Sequence, residues 1–191
     1  WPGKQGLAVC FALDAREDYL YVLYRNKGLR IFSVFGSSET PKIDNEKDTP
    51  GEANGLTVKG EFVYIADGPK GLQIVDLRNY ANPEIYSEDT PGNALGVFVL
   101  DDYAYIADGG EGLQIILVND PEKPTLIQEI ETPGEARSVF VSKIENSANE
   151  ERTYAFVADG SAGMYIVDVT DPNQPVDVAT YSVKNYLSDV I

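Results

Sequence analysis

The chain has 191 residues, 43% of them hydrophobic, enough for a sizeable core in one domain or slightly more. Its 31 acidic and 15 basic side chains leave a net charge of −16, a field that repels nucleic acid and anionic lipid, which are bound through clustered Lys and Arg. There is no histidine, so the usual general base, metal ligand and pH switch are missing together, and no run approaches twenty apolar residues, so no helix of this sequence crosses a membrane.

Trp1, not Met, opens the sequence, so a processed, excised or partial chain is expected. Pro2-Gly3-Lys4-Gln5-Gly6 leads into Leu7 to Val9, which reads as a short first strand. The single cysteine, Cys10, has no partner within the chain and sits in the apolar run Leu7 to Leu13, where it reads as a small buried hydrophobe. Tyr19 to Val34 gives two alternating segments around the turn Tyr24-Arg25-Asn26-Lys27-Gly28, and Pro41 precedes a last strand. These elements make a first unit, 2–49.

The pattern sharpens in a second unit, 50–90. Pro50-Gly51-Glu52-Ala53-Asn54 precedes a strand at Leu56 to Val58. In the next, Phe62 to Ala66, Phe62, Tyr64 and Ala66 alternate with Val63 and Ile65, the β-branched and aromatic types that suit a pleated surface. Leu72 to Leu77 follows after Asp67-Gly68-Pro69-Lys70-Gly71. That is a tight hairpin, in which Asp67 is expected to bond its own backbone two residues on and Gly68 and Gly71 to take positive φ. Glu84 to Glu88 closes the unit after Pro83, a residue that lacks an N–H and suits an edge strand.

Pro-Gly recurs at Pro91 and Pro133, 41 and 42 residues further on each time, and the rest of the unit recurs with it. The third unit, 91–132, repeats the hairpin at Asp108 and the late proline at Pro124; the fourth, 133–183, repeats them at Asp159 and Pro175. The fourth also carries a polar insert, Ser142 to Thr153, between its first two strands, readable equally as a specificity loop or a tolerated insertion. Lys184 to Ile191 aligns with the start of another unit: Asn185 with Gly134, Asp189 with Ser138 and Val190 with Val139.

Four short antiparallel strands every forty-odd residues, with no helical period, predict an all-β chain of four β-propeller blades plus the first strand of a fifth, within one propeller domain spanning 1–191. A β-solenoid or a string of sandwiches is the competing architecture. The last strand is expected to open a fifth blade, within a longer chain or an assembly that completes the ring.

The segments Gly71-Leu72-Gln73-Ile74-Val75-Asp76-Leu77, Gly112-Leu113-Gln114-Ile115-Ile116-Leu117-Val118 and Gly163-Met164-Tyr165-Ile166-Val167-Asp168-Val169 each follow Ala-Asp-Gly and precede a proline-bearing connection. In these the chain resembles the LVIVD repeat family, strongly over 50–183 and less over 1–49, where Tyr24-Arg25-Asn26-Lys27-Gly28 stands in place of Ala-Asp-Gly-x-x-Gly. The resemblance implies a β-propeller of secreted or surface proteins of bacteria and archaea, used in adhesion or assembly, with no catalytic site common to the family.

Candidate sites are few. Asp67, Asp108 and Asp159 invite a calcium reading, but one acid per turn, on successive blades, falls short of six to eight oxygens, and a structural turn role is the plainer one. Glu52, Asn54, Glu135, Arg137 and Asp189 fall at the approach to innermost strands, so they are expected at the channel mouth as contacts for a partner, or as solvated loop residues. No cofactor is implied, since no glycine-rich phosphate loop opens a helix. The expectation is a non-catalytic extracellular or cell-surface module that binds a protein, a polysaccharide or its own copies, with no nucleic-acid partner and no membrane insertion. The alternative is a hydrolytic propeller that uses Glu52 and Glu135 as axial carboxylates. A purely architectural blade stack is a third reading.

Overall fold

A computed structural model of the chain describes residues 10–16, 19–25, 27–33, 42–145, 149–183 and 186–191. Among these residues every regular element is a strand. Blade 1 consists of β1 (Cys10–Arg16), β2 (Tyr19–Tyr24), β3 (Gly28–Ser33) and β4 (Lys42–Lys47), and blade 2 of β5 (Gly55–Lys59), β6 (Phe62–Ala66), β7 (Leu72–Asp76) and β8 (Glu84–Glu88). Blade 3 follows with β9 (Gly96–Leu100), β10 (Tyr103–Ala107), β11 (Leu113–Leu117) and β12 (Thr125–Ile130), and blade 4 with β13 (Ser138–Glu145), β14 (Glu151–Ala158), β15 (Met164–Asp168) and β16 (Val176–Tyr181). Each blade is a four-stranded antiparallel meander in sequence order. The inner strands pack β1 on β5, β5 on β9 and β9 on β13, and the arc stays open between β13 and β1.

The second strands and the outer strand of blade 2 lie where the alternation of apolar residues puts them. Blade 1 departs from the expected register. Its paired inner strand is Cys10–Arg16, with Cys10 opposite Tyr24 and Arg16 opposite Tyr19, not Leu7 to Val9, which together with Pro41 and the Cys10 side chain lies outside the described residues.

The blades are held face to face, and three interfaces share one plan. The forward face of blade 2 (Tyr64, Leu72, Ile74) meets the back face of blade 3 (Ala104, Ile106, Ile116). Tyr105, Leu113 and Ile115 of blade 3 meet Ala155, Val157 and Val167 of blade 4 in the same way, and Leu23, Leu29 and Ile31 of blade 1 meet Val63, Ile65 and Val75. The forward faces supply Tyr, Leu and Ile and the back faces Ala, Val and Ile. Each fully buried Ile or Leu there contributes about 2 kcal/mol through removal from water.

Candidate binding face at the inner-strand ends

The Pro-Gly lead-ins and the β-hairpins of blades 2, 3 and 4 meet at one end of the arc, and a repeated polar clasp fixes them. Thr49 donates its hydroxyl to Asp67 Oδ1 at 2.7 Å, and the Gly51 N–H donates to Oδ2 at 2.7 Å. Thr90 and Gly92 hold Asp108 in the same way at 2.7 and 2.8 Å, and Thr132 and Gly134 hold Asp159 at 2.7 Å each. All three aspartates are fully buried. Both oxygens of each are thus engaged by the blade's own lead-in, and the Asp side chain closes a loop to the Thr-Pro-Gly upstream where a bond two residues on was expected. The bond two residues on is made instead by the last residue of the third strand: Asp76 accepts from the Arg78 N–H and Asp168 from the Thr170 N–H, both at 2.9 Å. Burial pushes the Asp67 and Asp108 carboxyls up, against the lowering pull of their Thr and Gly donors.

The glycines behave as the hairpin requires. Gly68 and Gly71 both sit at φ +62°, where a side chain is strained, and a Cβ at Gly71 would stand 2.5 Å from the Glu88 carbonyl. Gly68 also exchanges two backbone bonds with Ala94, at 3.0 and 2.9 Å, so the hairpin of blade 2 is stitched to the lead-in of blade 3. Gly109 and Ala136 repeat that stitch between blades 3 and 4.

Upon this fixed frame stand the residues that change from unit to unit. At the blade 1–2 boundary, Arg25 pairs with Glu52 at 3.7 Å and donates to Asn54 Oδ1 at 3.3 Å, while Asn54 Nδ2 donates to the Ala94 carbonyl at 3.0 Å. At blade 4, Arg137 contacts both oxygens of Glu135 at 3.2 Å and lies over the Tyr186 ring, 5.1 Å from its centroid. Tyr186 donates its hydroxyl to Glu135 at 2.8 Å and accepts from Arg137 Nε. The Tyr186 hydroxyl first, and then the hydrogen bond and charge of Arg137, hold the Glu135 carboxyl below its usual range, against a smaller opposing effect of burial. Asp189 accepts from the Ser138 hydroxyl at 2.6 Å. The five candidates therefore fall into two groups, Glu52 with Asn54 and Glu135 with Arg137 and Asp189, on blades separated by blade 3. Each glutamate is engaged by an arginine. Tyr186 escaped sequence reasoning because the tail unit diverges from the Glu52 and Glu135 pattern at that position.

The described arms of the fourth unit's insert, 142–145 and 151–153, extend the sheet. They prolong the ladder past the other blades, with Lys143 opposite Thr153, Ile144 opposite Arg152 and Glu145 opposite Glu151. Lys143 pairs with Asp101 of blade 3 at 2.9 Å and Arg152 with Asp168 at 2.8 Å, and Ile144 is exposed.

The sequence model of the LVIVD repeat matches residues 50–88, 91–132 and 147–183, more than half of the chain. No protein of curated function matches it in sequence. Among solved structures, the computationally designed Ika4 protein superposes with a TM-score of 0.59 at 8% identity, over 94% of both chains. The computationally designed Ika8 protein gives 0.60 at 9% identity, over 97% of this chain and 66% of that one. Apo AztD from Citrobacter koseri gives 0.62 at 15% identity, over 94% of this chain and 48% of AztD, so the chain spans about half of that protein. At these identities the likeness is one of fold.

Proposed function

As this chain belongs to the LVIVD repeat family, we propose that it is a non-catalytic binding or scaffold module, acting outside the cell or at its surface, whose partner contacts lie at the inner-strand ends. One observation carries the reading. The clasp of Thr, Gly and Asp is the same in blades 2, 3 and 4, while the positions it presents change, from Glu52 through Asn93 and Glu135 to Tyr186 and from Asn54 through Leu95 to Arg137. A constant frame with variable presented residues is how recognition surfaces are built on rigid scaffolds. Apart from Leu95, the groups presented are polar and planar, suited to a polar chain such as a glycan or an extended peptide. The resemblance alone supports the extracellular setting.

The geometry speaks against the hydrolytic alternative. A glycosidase needs one carboxylic acid kept protonated near neutral pH and a second carboxylate facing it. Glu135 is shifted the other way, and Glu52 and Glu135 each face an arginine. A glycan array run beside a panel of chromogenic glycosides tests the proposal. Binding without turnover, lost in Arg137→Glu, is the expected result. Turnover abolished by Glu135→Gln would replace this reading with the hydrolytic one.

A further inference from the structure

A cleft of about 460 Å³ opens at the other end of the inner strands, away from the clasps of Thr, Gly and Asp. Asp14 lines it from β1, Thr57 to Gly60 from β5 and its turn, and Phe98 to Asp101 from β9 and its turn. Its walls therefore belong to three consecutive blades whose inner strands pack on one another. The volume falls within the range of small-molecule sites, about 300–1,000 Å³.

The cleft leaves a backbone group open that its neighbour has filled. Asp14 Oδ2 accepts the Val58 N–H at 3.1 Å across the boundary of blades 1 and 2. Thr57 holds the register position of Asp14 one blade on, opposite Tyr64 as Asp14 is opposite Tyr21, but it donates its hydroxyl to the Val97 carbonyl at 3.0 Å. The Val99 N–H, the counterpart of the Val58 N–H, is therefore taken by no side chain among the described residues. Leu100 pairs with Tyr103 and Phe98 with Tyr105 across a two-residue turn, so the N–H and C=O of Val99 between them turn away from β10 to the open inner edge. Val99 is itself buried, and a buried amide needs a partner.

The rim beside that amide is tied from both sides. Asp101 sits at φ 48°, in the left-handed region, where Gly60 sits at 58° in the sibling turn. Its carbonyl accepts from Lys59 of blade 2, and its carboxylate pairs with Lys143 at 2.9 Å. Lys143 stands on the insert of blade 4, so the arm that the other units lack is anchored to the rim of the cleft. Asp14 and Asp101 balance Lys59 and Lys143, a neutral rim within a chain of net charge −16. Phe98 and Leu100 are half-buried, and the Phe98 ring meets Phe140 edge to face with centroids 5.1 Å apart. We propose that this cleft binds a neutral saccharide of one or two pyranose rings, with the insert arm as part of its rim. Sugar hydroxyls both donate and accept, which suits a site that offers the Val99 N–H, the Lys59 ammonium and the Asp101 carboxylate, an acceptor for more than its one pair with Lys143. The C–H face of a pyranose suits a phenyl ring and a leucine. A rim of balanced charge selects neither anions nor cations. The site lies at the opposite end of the inner strands from Glu52 and Glu135 and is independent of what binds there.

Maltose and cellobiose, added to isotope-labelled protein and followed by nuclear magnetic resonance, are the probes. At least one of them is expected to move the Val99 amide and Phe98 ring signals in a saturable way, where glycerol at matched hydroxyl concentration does not. Phe98→Ala should abolish the response. Lys59→Ala, at an exposed side chain, and Lys143→Ala, which frees the arm, should each weaken it severalfold. Should Phe98→Ala fail to fold, the two lysine variants decide: a severalfold loss in both upholds the proposal, and unchanged affinity in either overturns it. A Val99 signal that neither sugar moves overturns it, as does a glycerol response of the same size. The two ends are read separately: glycan binding at the clasp end follows Arg137→Glu, and the Val99 response follows Lys59→Ala, so either reading can fail without the other.

Discussion

Thr90 donates its hydroxyl to Asp108 at 2.7 Å across eighteen residues of sequence, inside a site that excludes solvent from the carboxylate altogether. The bond joins the end of one blade's outer connection to the hairpin of the next, so it sets where the presented residues stand. Asp108→Ala removes the acceptor for both the Thr90 hydroxyl and the Gly92 N–H and leaves two donors unpaired. The expected cost is about 2 kcal/mol, within the range for stranding buried donors and breaking a charge-assisted bond, partly offset by relief of the buried charge. Urea unfolding of Asp108→Ala, Thr90→Ala and the double variant checks it. Strict additivity of the single effects would show that the pair does not act as a unit.

The strand positions of the middle units were legible because alternation and turn residues are local: Phe62–Ala66 and Glu84–Glu88 lie where the pattern puts them. The clasp was half legible. Thr precedes Pro-Gly at Thr49, Thr90 and Thr132, the same residue type at the same place ahead of each Ala-Asp-Gly hairpin. That recurrence was present in the sequence. Its meaning depends on the meander bringing residues 16 to 27 apart to the same end of the sheet, which no local rule supplies. The Arg137–Tyr186 stack lay beyond reach for the same reason.

Mild acidification is expected to stabilise the protein. The folded Asp67 and Asp108 carboxyls sit above their unfolded values, chiefly through burial. The native state therefore takes up their protons first, and it gains on the unfolded state as pH falls through the raised values. Relief of repulsion within a net charge of −16 acts in the same sense. Asp76, held down first by its bond from Arg78, and Glu135, held down first by Tyr186, work oppositely: their contribution is present above the unfolded value of about 4 and is lost below it. The melting temperature should thus rise from pH 7 toward about 5 and fall below about 4. A steady fall from pH 7 to 5 would count against the buried aspartates as charged groups.

Tyr186→Phe should raise the Glu135 carboxyl toward its ordinary value, because the tyrosine hydroxyl is the first of the effects that hold it down, and Arg137→Gln, which removes a hydrogen bond and a charge together, should raise it as well. Carbon-detected titration of the Glu135 side chain in both variants reads this directly. No rise in Tyr186→Phe would mean that the guanidinium, and not the hydroxyl, governs that carboxylate.

The ends of the arc should be softer than its middle, and one matched pair of substitutions measures the difference. Ile115 and Ile166 hold the same place in β11 and β15, opposite Tyr105 and Phe156 respectively. Ile115 is fully buried between blades 3 and 4, so Ile115→Ala removes buried methylenes and leaves a cavity walled by two blades. The expected loss is about 3 kcal/mol, in the middle of the range for such truncations. Ile166 has protein packed against it from blade 4 and solvent beyond, so the same truncation there gives up less transfer energy and leaves a dent that water fills. About 1 kcal/mol is expected for Ile166→Ala, since only part of the side chain's transfer energy is at stake. Because each blade touches only its neighbours, the two effects should also separate by location: hydrogen exchange should rise across blades 3 and 4 for Ile115→Ala, and within blade 4 alone for Ile166→Ala. Equal losses at the two sites would mean that the forward face of blade 4 is as well covered in solution as that of blade 3, by something other than the blades described.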